Sequence, residues 1–567
     1  MTEATQTIEQ TYLNFPSERF PLSSLAAHDT YRTFWEKTHQ IDNSEKNRQA
    51  IERWEAIAVE TNRILNAFCG DGVKAVYPET YEAAVLTTLA DTESMDPPDG
   101  SRNARRALKQ YFNQIGSEKS PDQIEYIGGL LNDRKKIRDF WSAHAPEPVP
   151  MGQSYEWDKL PPLADLDAML ALVDDDSENQ NSINVESVLI QGAQLIAELE
   201  NFFATTNTAD GIHDSNIIDK IHMSESLIVP MLEIMGYDGF AMRLNSITKK
   251  IRLKNIGEKG QLALDIAEKV LEKYQHEYVI EAMQRALYHL SGSTDMTTVA
   301  QDSTIDFEHA RVIMTEGVCT IPVTTDTGHA AFYIMRVKTP GSLAWKLMSD
   351  HEKGKIDLFA IDQGAIDNAR LPMDIIAATV IFDDNNAYNH NQTDSTTTAS
   401  DGLATSFGVM VNNARNDAGI ELRPSPSRDA AVHIRGTETF CNKIASEVYQ
   451  RGYSKSIDIR DNEPVAGMEV AKLTFMYESL RMEIQFITET KRNAMRTEEI
   501  AHIFYKLGIA DPTEEQIKAI KRINQRKDSV KSPVLVNHDQ GKRYINNIKA
   551  TDTFDMASFT LHMTTSQ

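Results

Sequence analysis

Two textures of hydrophobic patterning divide the chain. Over residues 1–145 the apolar positions recur at helical spacing. In "NRQAIERWEAIAVETNRILNAF", Ile51, Trp54, Ile57, Ala58 and Ile64 fall near one helical stripe. A proline-rich stretch, "HAPEPVPMGQSYEWDKLPP", breaks that periodicity. A second helical block is expected over 160–292, interrupted by the acidic "DDDSENQNS" and ending in one long helix, "LALDIAEKVLEKYQHEYVIEAMQRALYHL". From 303 to 508 short apolar runs alternate with helical patterns. "HAAFYIMRV", "DIIAATVIF", "KLTFMY" and "RMEIQFIT" read as strands, and "NHNQTDSTTTASDG" reads as a polar loop. A tail over 509–567 opens a helix near "DPTEEQIKAIKRI", capped by Asp511 or Thr513, with Thr513 and Gln516 spaced as a capping box. The expectation is therefore a multidomain α+β chain: a helical N-terminal half, then a mixed β-sheet domain flanked by helices.

Composition bounds the function. The 567 residues exceed what one core sustains, so roughly three or four domains are expected. A formal net charge of −25 argues against an extended nucleic-acid surface. Cys69, Cys319 and Cys441 are scattered and form no CxxC pair, which speaks against a disulfide framework or a thiolate metal site. The polar start "MTEATQTIEQ" and the lack of a long apolar run point to a cytoplasmic protein without a membrane span. No pattern of the G-x-x-x-x-G-K-[ST], G-x-G-x-x-G, H-E-x-x-H or G-x-S-x-G kind occurs.

Against that acidity, "YIMRVKTPGSLAWKL" carries three cations and no acid. It reads as strand, turn and helix. Pro340 and Gly341 make the turn, Ser342 is the expected N-cap, and Lys346 follows one helical turn later. Arg336 and Lys338 stand at the strand end, and the helix N-terminal amides add partial positive charge. The group suits a polyphosphate. A solvated basic turn paired with nearby acids is the plainer reading of the same residues. Two later segments favour phosphate chemistry. Asp374 opens an apolar strand, and Glu483 and Gln485 share one strand face, with Met482, Ile484 and Phe486 on the other. Magnesium prefers oxygen ligands and is usually held by one or two carboxylates plus substrate phosphates.

These residues resemble the synthetase domain of the RelA/SpoT family, over about residues 303–508. Arg336, Lys338, Ser342 and Lys346 match the spacing of its phosphate-binding turn. Asp374 in "DIIAATVI" matches its metal-binding strand, Glu483 and Gln485 in "EIQFIT" match its E-x-Q strand, and His502, Tyr505 and Lys506 in "HIFYK" match its following helix. The resemblance implies a nucleotidyltransferase-like fold that moves pyrophosphate from ATP to the 3′-hydroxyl of GDP or GTP, making (p)ppGpp. It implies that Arg336, Lys338 and Lys346 hold ATP phosphates, that Ser342, Gln485 and His502 line the nucleotide site, and that Asp374 and Glu483 hold Mg2+. The chain departs from the family at Thr379 and Ile487, where arginines are usual. It departs again at Met468 and Lys472, where the acceptor-stacking tyrosine and a histidine would stand. Three readings follow: a divergent synthetase, a transferase with another acceptor such as an adenine nucleotide or tRNA, and a nucleotide-binding pseudoenzyme.

Long family members place a hydrolase domain before the synthetase. The His-Asp pairs here, His28-Asp29, His213-Asp214 and His538-Asp539, lack the surrounding helical pattern, so no hydrolase is expected. About sixty residues follow the "HIFYK" helix, which leaves little room for ribosome-sensing modules. Oligomeric state has no signature in the sequence.

Overall fold

A computed structural model describes residues 121–147, 165–174, 182–205, 214–272, 276–291, 319–324, 329–361, 371–387, 399–424, 429–461, 469–497 and 512–526, with scattered positions between 57 and 84 and at 503, 504 and 509. The chain divides into two compact units, one of residues 1–63 and 77–135 and one of 64–76 and 136–567. The second helical block and the strand-bearing block thus lie in one unit. The fold is α+β with a mixed sheet. Among the described residues, no helix is long and apolar enough to cross a membrane.

The helices are α1 (Pro121–His144), α2 (Leu166–Val173), α3 (Val185–Thr205), α4 (Ser215–Met223), α5 (Val229–Ile234), α6 (Asp238–Ile256), α7 (Glu258–Leu271) and α8 (His276–Ser291). A π-turn, Ser224–Ile228, joins α4 to α5. The single long helix expected over 262–290 is instead two, α7 ending at Leu271 and α8 starting at His276. Gly257, at φ 89°, turns the chain between α6 and α7, a conformation that costs a residue with a Cβ.

The sheet follows: β1 (Cys319–Thr324), β2 (His329–Val337), α9 (Pro340–Glu352), β3 (Ile376–Ala387), α10 (Ala399–Asn416), β4 (Ile420–Leu422), β5 (Val432–Arg435), α11 (Glu438–Gln450), β6 (Ile457–Arg460), β7 (Val470–Tyr477), β8 (Leu480–Thr488), α12 (Glu489–Thr497) and α13 (Glu514–Arg526). The last four residues of the expected polar loop, Ala399–Gly402, are already the first turn of α10. The capping box forms: Thr513 N donates to Gln516 Oε1 at 2.9 Å and Gln516 N to Thr513 Oγ1 at 3.2 Å.

Strand order is β1-β2-β3-β8-β7-β5-β6, with β4 pairing β7. β3 and β8 are parallel, as are β5 and β6, and the other pairs are antiparallel. Alternation then sorts the side chains. Ile376, Ala378, Val380, Met482, Ile484, Phe486, Leu473, Phe475, Val432 and Ile434 are buried in one core. Helices α10 and α11 pack on that face, with Phe407 of α10 edge-on to Phe486 at 5.0 Å. The opposite face carries the polar alternates. Burying the apolar row fixes which way Glu483 and Gln485 point, because a one-residue slip would invert both faces.

Candidate active site

Four adjacent strands meet at the site. Arg336 of β2 is opposite Ala377 of β3, which is opposite Glu483 of β8, which is opposite Thr474 of β7. Lys338 N donates to Ile375 O at 2.8 Å, extending the β2–β3 ladder one bond past Val337. This sets Lys338 beside Asp374 in the turn that opens β3. Lys338 Nζ lies 2.5 Å from Asp374 Oδ2. One rung inward, Gln485 Nε2 donates to Glu483 Oε1 at 2.6 Å, and Lys472 Nζ, from β7, approaches the same oxygen at 3.5 Å.

Both carboxylates are ionised. Burial works against charge on Asp374, but the neighbouring Lys338, with Arg336 and Lys346, outweighs it and holds the group well below the usual carboxylate range. Burial also raises Glu483. Lys472 opposes it, Asp374 pushes the same way as burial, and Gln485 and Arg336 help bring the net shift downward. The mutual effect of Asp374 and Glu483 places the two carboxylates in one electrostatic site.

The basic turn differs from expectation in two respects. The N-cap of α9 is Thr339, not Ser342; Pro340 takes the first helical position, which its fixed φ suits. Ser342 therefore lies in the first turn. The amides are also less available than expected, since Gly341 N donates to Ser246 Oγ on α6 at 3.2 Å. A Cβ on Gly341 would come 2.1 Å from Ser246 O, so glycine is what lets α9 seat against α6. Lys346 points along α9, with Asp350 Oδ1 at 3.7 Å. Arg336 is exposed and makes no hydrogen bond or ion pair with another described residue.

The site therefore gathers Arg336, Lys338, Lys346, Asp374, Glu483 and Gln485, with Ser342 on the same helix turn. His502, Tyr505, Lys506 and Met468 lie outside the described residues. Met482, on the opposite face, is fully buried in the core and does not fill the site. Sequence reading took Lys472 as a departure and missed it as the partner of Glu483. Asp214 caps α4 by accepting from Asn216 N at 3.0 Å, and Asp219 accepts from Trp141 Nε1 at 2.8 Å. Both are structural roles, and His213 lies outside the described residues.

A divalent cation fits this donor set. Among the described residues, Asp374 Oδ1 and Glu483 Oε2 carry no hydrogen bond, and both belong to ionised groups near cations that could receive phosphates. No three His, Cys, Asp or Glu side chains converge as a cage among the described residues, so the protein offers two carboxylates and substrate would supply the rest. No protein-family model matches the chain, and no curated protein matches it significantly.

Proposed function

We propose that the chain transfers the β,γ-pyrophosphoryl group of ATP to the 3′-hydroxyl of GDP or GTP, in the manner of an alarmone synthetase. The observation that carries this reading is the meeting of Arg336, Lys338 and Lys346 with the carboxylate pair Asp374 and Glu483 around the interior strands β2, β3 and β8. In the reaction the acceptor oxygen bonds to the β-phosphorus, the bond from that phosphorus to the α–β bridging oxygen breaks, and AMP leaves. Arg336, Lys338 and Lys346 neutralise and align the donor phosphates. Glu483 accepts a hydrogen bond from the acceptor hydroxyl and receives its proton. Its lowered pKa makes it a weak base, so orientation is its larger contribution. Asp374 and Glu483 would hold Mg2+, which would supply charge neutralisation at the phosphates.

One observation favours a second reading, nucleotide binding without transfer. Lys338 on Asp374 and Lys472 on Glu483 already neutralise both carboxylates. A third, transfer to an adenine nucleotide or tRNA, keeps the donor side and changes the acceptor.

The test incubates the protein with magnesium, γ-labelled ATP and, separately, GDP, GTP, AMP, ADP and uncharged tRNA. Label on a guanine nucleotide, lost in Asp374→Asn and Glu483→Gln, is the expected result. Label on another acceptor overturns the guanine assignment. ATP binding with no transfer to any acceptor leaves the second reading.

A further inference from the structure

Among the described residues, β6 ends the sheet on the side away from the candidate site. Gly436 N donates to Arg460 O at 3.2 Å, so the backbone groups of Arg460, and by alternation those of Asp458, face β5. The N–H and C=O groups of Ile457 and Ile459 then point outward. Such an edge is a template for a further strand.

The side chains along this edge are apolar on one face. Ile457 and Ile459 continue the row of Val432 and Ile434, their partners in register. Val432 and Ile434 are buried, but Ile459 is 39% exposed. Helix α11 covers this face beside α10, which packs on β3 and β8 toward the middle of the sheet. One flank of α11 meets α10: Lys443 pairs with Asp401, and Glu447 and Arg451 border Gly408. Tyr449 lies about half a turn round from that flank, on the side of the β6 edge, and is 49% exposed. Among the described residues the exposed large hydrophobic side chains are Phe359, Tyr449 and Ile459, and two of these three border one strand edge.

The other face of β6 alternates in charge. Asp458 Oδ2 lies 3.2 Å from His433 Nδ1, and Asp458 Oδ1 accepts from Arg460 Nε at 3.4 Å, while Arg460 stays exposed. A second β6 laid antiparallel on the first, about a twofold axis at Ile459, pairs Ile459 with its own copy. Asp458 of each chain then stands opposite Arg460 of the other. The outward backbone groups of Ile459 form a hydrogen-bonded pair, and Asp458 and Arg460 fall at the non-hydrogen-bonded pairs, where side chains approach most closely. Sliding by two residues sets Asp458 against Asp458 or Arg460 against Arg460. Sliding by one sets the apolar face against the charged one. Charge thus selects a single register, and that register is self-complementary.

We infer that β6 is the interface of a symmetric homodimer, in which the sheets of two chains join edge to edge at Ile459 with reciprocal Asp458–Arg460 pairs. This holds independently of the transfer reaction proposed above. The ladder is short, so the dimer dissociates in the micromolar range.

The experiment is sedimentation velocity on the full chain, 63.7 kDa, over a rising concentration series. It is run at about 0.15 M salt, where repulsion between copies of net charge −25 is screened beyond about 8 Å. Wild type should pass from monomer to dimer. Ile459→Lys places two cations at the twofold and should weaken the dimer at least about tenfold. Asp458→Arg and Arg460→Asp should each do the same, because each sets like charges opposite. Mixing those two variants should restore a dimer, since all four charges again meet in opposite pairs. Asp458 also holds the buried His433, so thermal unfolding checks its variant; Ile459→Lys and Arg460→Asp, on exposed side chains, keep the test decisive if that variant fails to fold. A wild type that stays monomeric overturns the second copy as the occupant of this edge. A dimer indifferent to Ile459→Lys overturns the interface, and a dimer that loses affinity in Ile459→Lys but not in Arg460→Asp overturns the register.

Discussion

Lys338 Nζ stands 2.5 Å from Asp374 Oδ2, tying the end of β2 to the turn that opens β3. The pair makes a stability prediction with a definite sign. The folded carboxylate titrates below its unfolded value of about 4. Its contribution is therefore fully present above about pH 4 and is lost as pH falls through the depressed folded value. Asp374→Asn should lower stability by about 1–3 kcal/mol at pH 7. Urea midpoints of wild type and variant should converge as pH drops below about 4. A gap independent of pH would show that ionisation of Asp374 does not stabilise the fold.

That pair was half legible in the sequence. Period-two alternation in "RMEIQFIT" placed Glu483 and Gln485 on one face, and the burial of Met482, Ile484 and Phe486 agrees. Strand-end positions for Arg336, Lys338 and Asp374 could also be read. Their convergence with Glu483 could not, because it depends on β3 and β8 pairing in parallel across roughly a hundred intervening residues. β5 and β6, four residues each, are too short for alternation to announce them. Ser342 was the better capping side chain, yet Pro340 moved the helix start to Thr339. Lys472 was visible as a residue, but its place opposite Gln485 follows from a Glu478–Ser479 turn that lacks the usual Asn-Gly signal.

Lys472 supplies a second prediction, one that separates the transfer reading from the binding-only reading. In the transfer reading it competes with a divalent cation for Glu483, whose Oε1 it approaches at 3.5 Å. Lys472→Met removes the competitor and keeps most of the stem. The rise in Tm on adding magnesium should then be larger in Lys472→Met than in wild type, and absent in Glu483→Gln. A magnesium shift unchanged by either substitution would leave Lys472 and Glu483 as a structural ion pair.

The β7–β8 hairpin carries two residues with positive φ, Glu478 at 49° and Ser479 at 67°. Both are in the left-handed region, which costs a residue with a Cβ about 1–2 kcal/mol. Ser479→Gly relieves that strain, and glycine's greater freedom in the unfolded chain offsets part of the gain. A net stabilisation of about 0.5–1 kcal/mol is expected, read as a higher urea midpoint at unchanged m-value. Because glycine keeps the turn, and with it the register that brings Lys472 opposite Gln485, nucleotide affinity should not change. A lower midpoint would mean that the Ser479 side chain makes a stabilising contact that outweighs its backbone strain.

The helical part of the second unit holds a buried ion pair on its π-turn. Arg252 of α6 grips Glu225 bidentately, Nε to Oε1 at 2.8 Å and Nη2 to Oε2 at 2.7 Å, and the side chains are 2% and 7% exposed. Taking two charges out of water is costly, and their attraction plus the hydrogen bonds repays it when both are present. Removing one leaves the other buried without its bidentate counter-charge. Arg252→Met should destabilise by about 3–5 kcal/mol, whereas Arg252→Met with Glu225→Leu should recover most of that loss. The same α6 seats the phosphate turn through Ser246 and Gly341, so the single variant should also weaken ATP binding while the double restores it. Equal destabilisation by the single and double changes would show that the pair's hydrogen bonds, rather than an uncompensated charge, hold α6 to the π-turn.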